Sequence, residues 1–192
     1  MENFADLYSD YLISSSSYAT STGMANLLSI KHDKITRELS NGDYDSKFLW
    51  KQSKVYVKEL TQSKELITLS FDDSIEEKRY TDESELHCWH FDHTFGKSVR
   101  GVNFLTALIE VGTMRLPCAV EFVKKDLWKK DPKTGKEKRK SSVSKNELFR
   151  KMLRECNGKF RFDYVLADSW YSSNENMNCC KKFLMGLPAR KF

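Results

Sequence analysis

A chain of 192 residues, 40% hydrophobic and 31% charged, is long enough to bury a sizeable core and is composed like an ordinary globular domain. No apolar run approaches the roughly 18 residues of a membrane span, and the acidic start Met1-Glu2-Asn3-Phe4-Ala5-Asp6 lacks the basic flank of a signal peptide, so a cytoplasmic location is expected. The net charge of +5 is modest but concentrated: residues 124–140 hold nine Lys or Arg against three acids, which suits either a polyanionic partner or a solvated basic loop.

In chain order, Phe4, Leu7, Tyr8, Tyr11 and Leu12 have the spacing of an amphipathic helix over 3–13, broken by Ser14 to Ser17. Two short helical patterns follow between Thr20 and Leu39, with a turn near Ser29-Ile30-Lys31. The pair is compatible with a helix-turn-helix whose second helix turns Lys34 and Arg37 outward, or with a plain helical hairpin. Asn41-Gly42-Asp43 is a turn, and 46–60 is helical again. A β-prone run, 65–72, ends in Asp72-Asp73, and a polar loop, 74–85, leads to a cluster of His87, Cys88, His90 and His93.

Residues 99–111 and 116–123 read as two long strands joined through Gly112-Thr113-Met114-Arg115. The basic segment, with the turn signature Asp131-Pro132-Lys133-Thr134-Gly135, reads as a protruding loop or ribbon. Ser144 and Glu147 form a capping box for a helix ending at Asn157-Gly158. A second acid-tipped strand occupies 163–168. Ser172 and Glu175 offer a further capping box, for a helix through Phe183, and a last strand is expected to begin near 183–187. The five cysteines have no framework spacing, so reduced thiols are expected.

Three strands followed by helix, strand and helix is the order of a ribonuclease-H-like α/β fold, here preceded by a small helical region. The expected division is 1–62 and 63–192. In that fold the first and fourth strands lie side by side, which would bring Asp73 and Asp168 together. Asp72 is the alternative to Asp73, because the parity of a strand's last residue decides little. Two carboxylates at one sheet edge form an oxygen-only site suited to Mg²⁺. A lone strand-end Asp is more often a turn or cap residue, and only the pairing argues otherwise. Zinc at the histidine cluster would need a second ligand pair, and none is evident.

Four blocks carry a resemblance: Leu69 to Lys78, Cys88 to His93, Val99 to Leu108, and Val165 to Ser173. Together they are similar to the DDE transposases of bacterial insertion sequences, most of all to the insertion-sequence-four family. The resemblance implies Asp73 and Asp168 as catalytic, metal-holding residues, with Mg²⁺ or Mn²⁺ as cofactor. It implies double-stranded DNA, the element's terminal repeats, as partner, with a homodimer on DNA and an association with the bacterial nucleoid. Candidate DNA contacts are then Lys34, Arg37, Lys129, Lys130, Lys133, Lys136, Lys138, Arg139 and Lys140. The family's third acid, a Glu in a Tyr-Arg-Glu-Lys signature, has no counterpart here. The expectation is therefore a C-terminally incomplete catalytic domain, with little cleavage or only DNA binding.

Overall fold

The computed structural model describes residues 4–184 except Ser17, Ser63, Arg79, Lys133 and Thr134. The last strand expected near 183–187 falls largely outside them, and Phe183 and Leu184 close a helix. The chain divides into two compact units, Met1–Tyr44 and Asp45–Phe192.

The first unit holds α1 (Phe4–Ser14), α2 (Ser21–Leu28) and α3 (His32–Asn41). Phe4, Met24, Ala25 and Ile35 are its buried centre, with Leu7, Tyr8, Tyr11 and Leu39 packed against them. Thr20 caps α2 by accepting from the Gly23 N–H at 3.0 Å. The Tyr11 hydroxyl donates to the Thr20 carbonyl and accepts from the Thr20 N–H, both at 3.0 Å, so α1 fixes where α2 begins. Ser29, at φ 54°, ends α2 in the left-handed conformation, and its N–H returns to the carbonyls of Ala25 and Asn26. Lys34 and Arg37 stand on the exposed side of α3.

The second unit begins with α4 (Ser46–Leu60), capped by the Asp45 carboxylate on the N–H groups of Lys47 and Phe48, both 2.9 Å. Ser53 and Val57 of α4 are buried, and Val57 belongs to the core of the sheet. By packing, α4 goes with the sheet, so the compact units part at Tyr44/Asp45, upstream of the 62/63 division expected from the sequence.

The sheet is built on β3 (Lys97–Val111). Along one edge β3 pairs antiparallel with β1 (Ile67–Glu77). Along the other it takes β2 (His87–Asp92) and then β4 (Met114–Phe122) in succession. β7 (Tyr164–Ala167) lies parallel to β1 on its far side. The order β4, β3, β1, β7 makes a ribonuclease-H-like mixed sheet, with β2 as an added segment. A separate ribbon pairs β5 (Leu127–Lys130) with β6 (Glu137–Lys140).

β1 does not stop at its aspartates. Ser74 to Glu77 pair with Phe104 to Gly101, because β3 is long enough to offer partners beyond the apolar run. The expected loop therefore starts after Glu77, and the histidine cluster is a strand.

One sheet face carries Ile67, Leu69, Phe71, Leu105, Ala107 and Ile109, all buried. It packs on Val57 and on Leu148, Phe149, Met152 and Leu153 of α5 (Lys145–Asn157), whose N-terminus has the Ser144–Glu147 capping box. After β7, a short 3-10 turn (Ser169–Tyr171) precedes α6 (Asn174–Leu184). The Ser173 hydroxyl accepts from the Asn176 N–H at 3.3 Å, while the expected cap, Ser172, closes the 3-10 turn. All five cysteines are free.

Gly101 is where β1, β2 and β3 run abreast, opposite Glu77 on one side and Cys88 on the other. A β-carbon there would collide with the Glu76 backbone carbonyl. Gly101→Ala should therefore lower stability by about 1–3 kcal/mol, as overpacking does. The urea unfolding midpoint checks this, and an unchanged midpoint would refute the close approach.

Candidate active site

β1 and β7 are in register from Thr68↔Tyr164 to Phe71↔Ala167. The next residues are Asp72 and Asp168. Because the two strands are parallel, both acids fall at the same end of the shared ladder, where β7 turns away and β1 continues. They line one cleft of about 520 Å³ together with Asp73, Asp92, Lys145 and Trp170.

Strand alternation separates the neighbouring aspartates. Asp73 continues the face of Ile67, Leu69 and Phe71 and is half-buried, whereas Asp72 is exposed. A half-buried carboxylate needs partners, and Asp73 has two. Lys145, the first residue of α5, makes an ion pair with Oδ2. The Tyr171 hydroxyl donates to Oδ1 at 3.1 Å. Tyr171 is itself buried, its ring stacked on Phe149 at 5.3 Å. Burial, and then the charge of Asp73, push its phenol well above the usual tyrosine range, so it stays a donor.

Asp168 is exposed and caps the 3-10 turn, accepting from the Ser169 hydroxyl at 3.0 Å and the Trp170 N–H at 3.4 Å. This is the ordinary role of a strand-end Asp, and it also delivers Tyr171 to Asp73. Asp92 caps the β2–β3 turn through the Thr94 N–H at 2.9 Å.

The donor chemistry suits a hard divalent ion: Asp72, Asp73 and Asp168 offer only oxygen, and Asp73 already holds one cation, the Lys145 ammonium. Among the described residues, no three His, Cys, Asp or Glu side chains converge closely enough to hold an ion by themselves.

The histidines take other roles. The two ring nitrogens of His87 lie 2.9 Å from the Asp82 carbonyl and 2.7 Å from that of Lys78, pinning the loop before β2. His90 Nε2 is 3.4 Å from Cys88 Sγ, and His93 packs edge-on against Phe91.

The basic segment is the β5–β6 ribbon. Lys129 lies directly opposite Lys138, and Leu127 opposite Lys140, on one face. On the other, Arg139 stacks over Trp128 at 4.4 Å and is tied to Glu83 at 3.0 Å. Lys129, Lys130, Lys136, Lys138 and Lys140 are exposed, and Lys133 lies outside the described residues.

The sequence profile of the DDE superfamily endonucleases matches residues 2–180. The chain belongs to the DDE superfamily endonucleases. Nucleases of this superfamily act on DNA and use divalent metal ions. No curated protein and no solved structure matches the chain. Reading for carboxylates alone overlooks Lys145 and Tyr171 in this endonuclease. Lys145 directly follows the capping Ser144 and Tyr171 comes three residues after Asp168, but neither spacing says which way a side chain points.

His90 offers a check on the packing beside the cleft. Burial first, then the charges of Lys125, Lys145 and His87, lower its pKa from the ordinary 6.5 to about 4. Between those values the unfolded chain binds a proton that the folded chain refuses, so stability falls as pH drops from 6.5 to about 4. At 1.36 kcal/mol per unit the His90 share is about 3 kcal/mol at most. Urea unfolding across that range should show a shallower pH slope in His90→Gln, and an identical slope would exclude the buried neutral imidazole.

Proposed function

We propose that this chain is a transposase-type endonuclease of an insertion sequence, of the insertion-sequence-four kind, acting on double-stranded DNA with Mg²⁺ or Mn²⁺. The observation that carries the reading is the parallel β1–β7 pair, whose register ends at Phe71↔Ala167 and opens Asp73, Asp72 and Asp168 onto one cleft. Asp73 and Asp168 hold the ion, with Asp72 beside them. When bound, divalent ions activate the attacking oxygen and stabilise the leaving oxygen of a phosphodiester.

The chain's own groups set the stage for that chemistry. Tyr171 fixes the carboxylate of Asp73, and Lys145 neutralises it until a cation competes. The exposed lysines of the β5–β6 ribbon, with Lys133 and Arg139, supply phosphate contacts, and Lys34 and Arg37 of α3 supply others. The protein works on terminal repeats as a homodimer and resides with the nucleoid in the cytoplasm. Among the described residues, no helix is long and apolar enough to cross a membrane.

A second reading, a non-cleaving chain that binds element ends or interferes with a full-length copy, is favoured by one observation. Both oxygens of Asp73 are already engaged, by Lys145 and Tyr171.

Nicking of supercoiled DNA with Mn²⁺, alongside a gel-shift assay, separates the two. The nuclease reading expects nicking that falls in Asp73→Asn and Asp168→Asn by more than the roughly 10–100-fold cost of outer-sphere changes, with DNA affinity retained. Tight binding without nicking selects the second reading, and no binding removes both.

Charge reversal on the ribbon gives a further check. Replacing Lys129, Lys138 and Lys140 by Glu should reduce the slope of log K against log salt by about 3, close to one per lost phosphate contact. An unchanged slope would place the DNA elsewhere.

A further inference from the structure

Beside the acid cleft lies a second one, of about 500 Å³, and Phe91 lines both. Its walls differ in kind. Trp89 and Phe91 of β2 project from the exposed side of the strand, each 54% exposed, while His90 between them is buried. Two positions along a strand are about 6.8 Å apart, which leaves each ring room for its own stacking partner. Trp128 of β5 faces the same cleft at 56% exposure.

Three cations, Lys125, Lys138 and Arg139, line the cleft with these rings, against two acids, Glu83 and Glu137. The Arg139 guanidinium lies over Trp128 and is held there by Glu83 and by the Lys125 carbonyl at 3.4 Å. Lys125 donates to the Trp89 carbonyl, and Lys138, which also lines the cleft, is paired with Asp131 at 2.7 Å. The rings are thus displayed on two β segments, with a lining of three cations and two acids beside them.

Three large aromatic side chains, each more than half exposed, in one cleft with a net positive lining match a ligand that is flat, π-faced and anionic. An unpaired nucleotide meets all three requirements. A duplex does not, because its base faces are already stacked on one another. We propose that the Trp89–Phe91–Trp128 cleft is a subsite for unpaired nucleotides of a DNA strand whose neighbouring phosphate lies at the acid cleft. Trp89, Phe91 and Trp128 stack on bases, and Lys125, Lys138 and Arg139 take the backbone charge. This rests on the DNA-cleaving reading above and adds which state of the DNA is held.

The test uses the full chain in EDTA, so that no cleavage intervenes. Three probes are compared by anisotropy and by quenching of tryptophan fluorescence: a short oligothymidine, a strand of the same length built from abasic residues, and a blunt duplex. Oligothymidine should quench and bind tighter than the abasic strand. Trp89→Ala and Trp128→Ala should each weaken oligothymidine binding about tenfold, as loss of a stacked base does, and leave duplex affinity unchanged. Trp89→Phe and Trp128→Phe should restore most of the binding, and thermal melting confirms that each variant is folded. Equal affinity for abasic and thymidine strands, or equal losses on duplex and single strand, overturns the subsite while leaving DNA binding intact. Failure of the wild type to bind any of the three probes overturns the DNA reading and the subsite with it.

Discussion

β1 is paired along both edges as far as Phe71 and along only one edge beyond it. That change, forced by the four-residue length of β7, makes the notch in which the acids stand. Up to Phe71 the strand is an interior element, with Ile67 and Leu69 fully buried. Past it the same backbone keeps its register with β3, so side chains still alternate, but they now meet water on one flank. A rigid strand with an open flank can present a charged group at a fixed place, which a flexible loop cannot do as well.

Asp73 shows what such presentation demands. It sits on the core-facing side of the sheet, where a lone carboxylate is costly. Lys145 and Tyr171 meet that cost from two directions, one from the start of α5 and one from the 3-10 turn after β7. A hydrogen bond to a charged group is worth roughly 1.5–3 kcal/mol, so the contacts that hold the carboxylate also fasten helix, turn and sheet together. Removing the charge at Asp73 would leave Lys145 without its counter-ion. Asp168 is different: it is exposed, and its capping bonds are local.

Much of this was legible in the residues. The capping pair Ser144–Glu147 and the turn near Ser29-Ile30-Lys31 mark helix ends through local chemistry, which short stretches encode well. The pairing of the first and fourth strands followed from element order. What escaped had its cause at a distance. β1 continues through Ser74-Ile75-Glu76-Glu77, a polar stretch with no strand signature, because β3 supplies hydrogen-bond partners there. His87, Cys88, His90 and His93 drew the eye as potential metal ligands without a second pair, and nothing local showed that alternation in β2 sends His90 inward while Trp89 and Phe91 face out. α4 has no local mark of allegiance to either unit; burial of Val57 and packing of Trp50 and Leu60 against the core of the sheet assign it. The roles of Lys145 and Tyr171 depend on side-chain direction across the fold.

The open flank of β1 has a consequence for how these molecules behave toward one another. Among the described residues, no strand pairs with that side of Asp72 to Glu77. Unpaired strand edges are templates on which a second chain can zip, and charge is the usual defence. Here four of the six residues along the edge are acidic: Asp72, Asp73, Glu76 and Glu77. Two copies approaching edge to edge would bring like charges into apposition, so the carboxylates that face the cleft also keep the sheet from growing. Neutralising them one at a time weakens that repulsion, and a variant made to silence the site is at the same time a variant with a stickier edge.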